Sequence, residues 1–430
     1  MKIIKNDFFN EEIYHEELEN GLNVYLMPKK GFAQYYAQFT TNFGSFDTEF
    51  VPLGENELIT VPEGAAHFLE HKMFETEDLS DVNKLFLPLG ASANAFTMQD
   101  RTSYTVSGAG HVNECIEILL NFVQTPTFTE QTVEKEKSII EQEILMYMDN
   151  PGTFATRSSY KNIFGENDKI AREIGGTPES IKEITKDILL KAYHRFYHPA
   201  NMVLAVVGGF DPIELMETIK QNQSLKSFVK AQKHTRKLPE QMKPIKERYK
   251  LDYFDIRVPL TCWAVKFPYV DKGGLENEKI NLSIEYLFDL YYSSISTFND
   301  EMRKNDLSEV SVRYFPSYAD GYGYCCIRSA TNKYQQLYDF LDKKYEELLK
   351  GNIDENKVRT LTRAGYVNNI KDFNSITNIA NTLIECHIRN IDFFELTKLP
   401  NTISTEDIKN VLNILRQGIV STHTVLPNKK

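Results

Sequence analysis

Three residues that could bind or activate a metal ion lie close together in the stretch EGAAHFLEHKMFE, residues 63–75. They are His67, Glu70 and His71, in a chain that has only nine histidines. If the stretch is helical, residues four apart lie one above the other, so His67 and His71 can present both imidazoles to one ion. The alternative is a chance HxxEH pattern on a solvated surface helix.

A helix over residues 61–76 is predicted to carry these side chains. Thr60 followed by Glu63 is typical of a capping box, and Pro62 suits the first turn of a helix. Phe74 falls on the same face as the two histidines. That face is therefore expected to point into the protein, because a large aromatic ring favours burial.

A second helix, over residues 132–151, is predicted to supply carboxylates. It should stop at Asn150 and Pro151, and Glu136 and Glu143, seven residues apart, project in nearly the same direction. Burying two carboxylates is costly unless they are paired or bind a metal. A buried salt bridge to an arginine is the alternative. The apolar residues expected around the two carboxylates are Val133, Ile139, Ile140, Ile144 and Tyr147.

Two histidines and one glutamate would make three protein ligands and leave a fourth position for water. That arrangement is typical of a catalytic rather than a structural zinc site. Glu70, which is not needed as a ligand, could take a proton from the water and pass it to a leaving amine. This is the general acid and base chemistry of a metallopeptidase.

The motif of His67, Glu70 and His71 with a later Glu143 resembles the inverted zinc motif of the pitrilysin/insulinase family of metallopeptidases. Residues 90–108 resemble the family's substrate-edge strand, and residues 134–144 resemble its ligand helix. The stretch FYHPANMVLAVVGGFDP resembles its domain-closing strand. The second half of the chain agrees with the family in length and order more than in letters.

The resemblance implies roles for named residues. It implies one Zn²⁺ per chain, held by three ligands, with Glu70 as general base and a further carboxylate holding a histidine N–H in place. It also implies that the substrate pairs with an edge strand. For Asn94 on that strand the alternative is a local turn bond. The implied ligands are His67, His71 and Glu143, the further carboxylate is Glu136, and the implied edge residues are Asn94, Ala95 and Phe96.

The resemblance also implies a partner. Self-sufficient relatives carry an arginine followed seven residues later by a tyrosine, and this pair grips the substrate. Here Arg303 fits the first place as a substrate-binding residue, but Val310 occupies the second. The chain would then be the metal-bearing subunit of a heterodimer with a related subunit that lacks the motif. The alternatives are a homodimer, or a hydroxyl supplied by Tyr314, Tyr318 or Tyr324.

Two related halves are predicted from a weak internal repeat. Residues 177–210 predict a helix, a proline-marked turn and an apolar strand, and residues 401–427 run in the same order. We therefore expect an α+β fold of two related αβ domains, with antiparallel-rich sheets flanked by helices. The resemblance implies that they enclose a cleft or chamber. The expected division is a catalytic zinc-binding domain over residues 1–225, a linker over residues 226–248 and a second domain over residues 249–430.

Composition excludes several classes of function. A net charge of −11 without a dense run of Lys and Arg argues against nucleic-acid binding. No apolar run approaches ~18 residues, so we expect no transmembrane segment. The five cysteines form no Cys-x-x-Cys pair, which favours buried, reduced thiols. We expect a cytoplasmic protein.

The predicted function is a zinc metalloendopeptidase that hydrolyses short or unfolded peptides by means of a zinc-activated water. The alternatives are a non-catalytic scaffold subunit and a module of the same family that binds peptides without cutting them. An eroded metal motif would mark the scaffold, and here all four positions are intact.

Overall fold

The computed structural model describes residues 1–75, 81–229, 236–240, 242–307 and 309–428. The chain forms two compact units. The first unit comprises Met1–Leu145, Glu173–Arg236 and Lys371–Phe393. The second unit comprises Met146–Arg172, Lys237–Ile370 and Phe394–Lys430.

The strands are short and are numbered in chain order. They are β1 Lys2–Asn6, β2 Glu11–Glu17, β3 Asn23–Pro28, β4 Gln34–Thr41, β5 Glu49–Phe50, β6 Ile59–Thr60, β7 Ser92–Thr97, β8 Thr102–Ala109, β9 Met202–Gly208, β10 Tyr249–Phe254, β11 Leu260–Phe267, β12 Arg313–Ala319, β13 Tyr322–Ala330 and β14 Ile419–Pro427.

The helices occur between the strands in both halves of the chain. They are α1 Ala65–Met73, α2 Asn83–Phe86, α3 Val112–Val123, α4 Glu130–Met148, α5 Pro151–Phe164, α6 Pro178–Glu183, α7 Lys186–Phe196, α8 Pro212–Ser224, α9 Gly274–Tyr292, α10 Phe298–Lys304, α11 Tyr334–Leu349, α12 Glu355–Asp372, α13 Ile376–Arg389, α14 Phe393–Lys398 and α15 Thr405–Leu415. Short 3₁₀ turns cover Leu87–Leu89, Lys169–Ala171, Pro199–Asn201 and Leu399–Thr402.

The first unit is built on a seven-stranded sheet with the order β1-β2-β3-β9-β4-β8-β7. Only β3 and β9 pair in parallel, and every other neighbouring pair is antiparallel. The strand β9 is buried along its whole length, as its near-continuous apolar sequence predicts. Among the described residues, the strand β7 lies at an edge of this sheet and pairs with β8 alone.

The second unit repeats this topology in a five-stranded sheet with the order β10-β14-β11-β13-β12. Again one pair, β10 and β14, is parallel and the others are antiparallel. The order matches β3-β9-β4-β8-β7 strand for strand. Helices α7 and α15 precede β9 and β14 respectively, which confirms the predicted repeat of helix and strand. The predicted α+β class with two related αβ domains and antiparallel-rich sheets is confirmed.

The structure divides the chain differently from the contiguous domains predicted over residues 1–225 and 249–430. Helix α13, from the C-terminal half, packs on β9 and β4 of the first unit, and α5, from the N-terminal half, packs on β11 and β14 of the second. Ile379, Leu383 and Ile384 are buried on α13. Burying each such side chain contributes about 1.5–3 kcal/mol, so α13 is held where its apolar face is covered.

The predicted linker over residues 226–248 contains one of the boundaries between the units, which falls after Arg236. Residues 230–235 and 241 of that linker lie outside the described residues. Each unit has its own hydrophobic core of buried side chains. All five cysteines are free and buried, as predicted. In the described part of the chain, no helix is both long enough and apolar enough to cross a bilayer.

Candidate metal centre

The helix α1 places His67, Glu70 and His71, but it begins later than predicted. Its N-cap is Gly64, with φ at 91°, and Thr60 ends β6 instead of capping the helix. The predicted capping box is therefore wrong. A Cβ at Gly64 would lie 2.5 Å from the carbonyl oxygen of Gly175, so only glycine fits this left-handed, close-packed position.

One side of α1 is anchored in the core of the first unit. Phe68, Leu69 and Met73 are buried there, and Phe74 is partly buried against the same core. His67 and His71 project from the other side of the helix, and their side chains are 15% and 25% exposed. They are thus accessible enough to bind a ligand and buried enough for electrostatic interactions to be strong.

Helix α4 carries the two carboxylates. It ends at Met148, and the side chain of Asn150 caps the following helix, which confirms the predicted stop. Val133, Ile140 and Ile144 are buried as predicted. Ile139 and Tyr147 are not, since they are 49% and 51% exposed. The buried side of α4 is therefore narrower than the predicted apolar stripe.

The three predicted ligands come together between α1 and α4. The Glu143 Oε2 atom lies 3.9 Å from His67 Nε2 and 3.4 Å from His71 Nε2. One donor atom from each residue lies within 4.8 Å of the others, and in the described residues this is the one group of three or more such side chains to do so. An ion with ligand bonds of about 2.0–2.2 Å can sit within a triangle of this size.

Glu136 orients one of the histidines. Its Oε1 atom lies 3.1 Å from His71 Nδ1, so Nδ1 donates to this carboxylate, and Nε2 is the nitrogen that lies 3.4 Å from Glu143. Burial opposes ionisation of Glu136, but its hydrogen bond and charge interaction with His71 outweigh this, and its pKa is lowered. The partners of Glu136 and Glu143 in the described part of the chain are histidines, which contradicts the arginine salt bridge considered above.

His67 is held as a neutral imidazole. Burial, followed by repulsion from His71, lowers the pKa of His67 to about 4. A neutral ring is the form that binds a metal ion. Gly175 lies against the ring, since a Cβ there would be 3.5 Å from Nδ1, and Nδ1 is buried without a hydrogen-bond partner among the described residues. The donor set of two imidazoles and a carboxylate fits Zn²⁺.

Glu70 lies beside the three ligands and is not one of them. Thr97 donates a hydrogen bond of 2.6 Å from Oγ1 to Glu70 Oε2. Burial raises the pKa of Glu70, although the bond from Thr97 opposes the rise. A raised pKa makes the carboxylate a better proton acceptor. Sequence reasoning missed Thr97. The available signal was its place at the end of the predicted edge strand.

Asn94, Ala95 and Phe96 lie on β7, at the sheet edge where they were predicted. The side chain of Asn94 makes a local bond, since its Oδ1 accepts from the Ala95 backbone N–H at 2.9 Å. This matches the local alternative considered for Asn94, although the bond lies within a strand instead of a turn. Whether these residues bind substrate stays a prediction.

Arg303 lies on α10 in the second unit and pairs with Asp300 at an exposed position. It lines an open groove of about 530 Å³ together with Val310 and Val312. The substrate-binding role of Arg303 stays a prediction.

The tyrosines considered as substitutes for the missing hydroxyl have partners within the second unit. Tyr314 donates to Asp289, Tyr318 donates to the Val270 carbonyl at 3.1 Å, and the Tyr324 hydroxyl lies 3.2 Å from that of Tyr160. Tyr314 and Tyr318 would have to give up these bonds before they could donate to a substrate, whereas either hydroxyl of the Tyr324 and Tyr160 pair can be the donor.

Comparison with known proteins identifies the family. The Bacillus subtilis (strain 168) protein YmfH, which is named a zinc protease, is 36% identical over 414 residues that cover 96% of each chain. The chain belongs to the insulinase family of peptidases, family M16. The model of that family matches residues 60–177, which include all of α1 and α4. A model described as the inactive domain of peptidase M16 matches residues 183–364.

Solved structures of M16 proteins share the fold. An M16-like peptidase from Alicyclobacillus acidocaldarius has a TM-score of 0.91 at 29% identity and covers 99% of this chain and 100% of its own. Pitrilysin has a TM-score of 0.76 at 16% identity, and the match covers all of this chain and 47% of pitrilysin. The Bacillus subtilis relative YmfH is named a zinc protease, which agrees with the donor set described here.

Proposed function

We propose that this M16 chain is a zinc metalloendopeptidase that hydrolyses short or unfolded peptides and holds one Zn²⁺. The observation that carries the proposal is the triangle of His67, His71 and Glu143 with Glu70 beside it. Three protein ligands leave a position open for water or substrate, as in catalytic zinc sites. A scaffold role would not require this set of side chains.

The side chains of the chain have separate tasks in this mechanism. Zinc bound here would supply a Lewis acid that polarises the scissile carbonyl and acidifies water. Glu70 takes the proton from the attacking water and delivers it to the leaving amine, so one carboxylate serves as base and then as acid. Glu136 accepts the hydrogen bond from His71 Nδ1, so that Nε2 is the nitrogen that would bind the ion.

The substrate is proposed to bind as an additional strand along β7. Hydrogen-bonded and non-hydrogen-bonded residue pairs alternate along an antiparallel ladder. Met98 and Arg101 form the hydrogen-bonded pair that closes the hairpin of β7 and β8. The backbone groups of residues 93, 95 and 97 therefore face away from β8. The Ala95 N–H is at present satisfied by the Asn94 side chain, which a peptide carbonyl could replace. Backbone pairing selects peptides that are extended and depends little on the identity of their side chains.

We expect the zinc-loaded protein to cleave many unfolded peptides with loose side-chain preference and to leave folded proteins intact. The reason is that only an extended chain can pair with a sheet edge. Mapping cleavage sites in a peptide library and in a matched set of folded proteins tests this, with chelator-treated protein as the control. A single sharply defined cleavage sequence would contradict binding through the backbone, and no cleavage of any peptide would contradict the proposed function.

We propose that the full rate requires a partner, a related subunit that lacks the metal motif, with a homodimer as the alternative. Val310 cannot donate a hydrogen bond, and losing one such donor to the substrate costs about 10²–10³-fold in rate. The isolated chain should therefore be slow and should accelerate by about that factor when the related subunit is added. A cytoplasmic location is part of this proposal and agrees with five free, buried thiols.

Peptide cleavage rates measured with and without the added subunit test the partner. Tyr324→Phe serves as the second measurement, because Tyr324 is one of the hydroxyls that could complete the site within the chain. A full rate for the isolated chain that Tyr324→Phe abolishes would contradict the need for a partner.

A further inference from the structure

The general base is tied to the strand proposed to bind the peptide. Thr97 is the last residue of β7, and its hydroxyl donates to Glu70 Oε2 at 2.6 Å. The neighbouring Thr102 hydroxyl lies 3.4 Å from that of Thr97, but it donates to the Phe43 carbonyl at 2.9 Å. The Thr97 proton is therefore directed to Glu70, and the second carboxylate oxygen of Glu70 is left for another partner.

The backbone of Thr97 faces the peptide side of the sheet. In an antiparallel ladder, hydrogen-bonded and non-hydrogen-bonded residue pairs alternate. The Met98 N–H donates to the Arg101 carbonyl, so the neighbouring pair of Thr97 and Thr102 is a non-hydrogen-bonded pair. The backbone of Thr97 then faces the same way as that of Ala95, away from β8. The backbone of Thr97 thus forms part of the sheet edge, while its hydroxyl donates a hydrogen bond to Glu70.

The end of β7 is held firmly. The carbonyls of Met98 and Gln99 accept backbone bonds of 3.1 and 2.8 Å from Ser45 and Phe46. A Cβ at Gly44 would lie 2.5 Å from the Gln99 carbonyl oxygen, so the two segments are in close contact. Threonine is also restricted at χ1 because it is β-branched, which limits how far its hydroxyl can move.

We propose that Thr97 is a positioning residue that couples peptide binding at the β7 edge to the orientation of Glu70. This inference rests on the proposed function, because it assigns Thr97 a place in the same reaction. The hydroxyl fixes one carboxylate oxygen so that the other points to the water. Thr97 would then hold both the peptide, through its backbone, and Glu70, through its hydroxyl, so their relative position is set by one residue. A displacement of about 1 Å at such a site can cost 10²-fold in rate.

Thr97→Val and Thr97→Ser test the proposal. Valine keeps the shape and removes the hydroxyl, so kcat should fall by about 10- to 100-fold. KM and zinc content should stay unchanged, because neither the backbone nor a zinc ligand is altered. Serine restores the donor and should bring kcat back to near the wild-type value. Ser107→Ala is the matched control, since it removes a hydroxyl from the same hairpin at a position where that hydroxyl lies 3.2 Å from the hydroxyl of Ser92.

A second readout does not depend on activity. In the zinc-free protein, Thr97→Val should lower the unfolding midpoint in the presence of Glu70 and should have a smaller effect when combined with Glu70→Ala. This cycle isolates the hydrogen bond between the two side chains. Coupling without any change in kcat would mean that the bond is only structural and would overturn the proposal.

Three further results would also overturn the proposal. These are a wild-type kcat in Thr97→Val, a serine variant as slow as the valine variant, and loss of zinc in Thr97→Val. A zinc-loaded wild-type chain that cuts no peptide would reject the proposed function itself, whereas an active wild type with an equally active Thr97→Val rejects the inference alone.

Discussion

Glu70→Gln is expected to retain zinc and to bind peptides while its kcat falls by about 10²- to 10⁴-fold, the contribution of a positioned general base. Glutamine has nearly the same shape as glutamate and can still accept the hydrogen bond from Thr97. It cannot take a proton from water at neutral pH. The loss should therefore appear in kcat and leave KM nearly unchanged, because an interaction made only in the transition state is removed.

The measurement pairs elemental analysis with a quenched-peptide assay and a peptide-binding titration. Glu134→Gln is the control, since its side chain is 74% exposed on α4 and pairs with Lys137. It should behave as the wild type in all three measurements. A fully active Glu70→Gln protein would refute the role of Glu70 as the base.

His71→Ala or Glu143→Ala should reduce the bound zinc from about one per chain to nearly none and abolish cleavage. Each change removes one of three protein ligands, and two ligands do not make a catalytic zinc site. Glu136→Gln should have a smaller effect, about 10- to 100-fold in zinc affinity, because it removes only the carboxylate that orients His71.

Zinc content by elemental analysis, together with affinity by competition with a chromogenic chelator, checks this series. Glu141→Ala is the matched control, because Glu141 lies on α4 close to Glu143 and pairs with Lys182 at 3.1 Å. It should keep one zinc. Full zinc occupancy in Glu143→Ala would show that other side chains hold the ion.

Local periodicity explains what the sequence could predict. The positions of His67 and His71, and of Glu136 and Glu143, follow from the repeat of an α-helix, which depends only on residues a few positions apart. The same holds for the stop before Asn150, because a proline cannot continue the helix. The apolar pattern of β9 likewise indicated a fully buried strand before its neighbours were known.

Roles that depend on distances between segments needed the structure. Helical periodicity puts Glu136 and Glu143 on the same face of α4. Only the structure shows that Glu136 lies at Nδ1 of His71 and Glu143 near Nε2 of both histidines. The exposure of Ile139 was also misjudged from pattern alone. How wide a helix face becomes buried depends on what packs against it.

By itself, the sequence determined which side chains are the candidate metal ligands, which two helices carry them and how helix and strand follow each other in the two related halves, because each is encoded in short-range patterns. Tertiary structure alone decided that α1 begins at Ala65, after an N-cap at Gly64 where the Gly175 carbonyl leaves no room for a Cβ. It also decided that α5 and α13 each pack on the sheet of the other half of the chain. Finally, it brought the Thr97 hydroxyl to Glu70. These contacts join residues far apart in the chain, and no local periodicity encodes which distant surface a side chain meets.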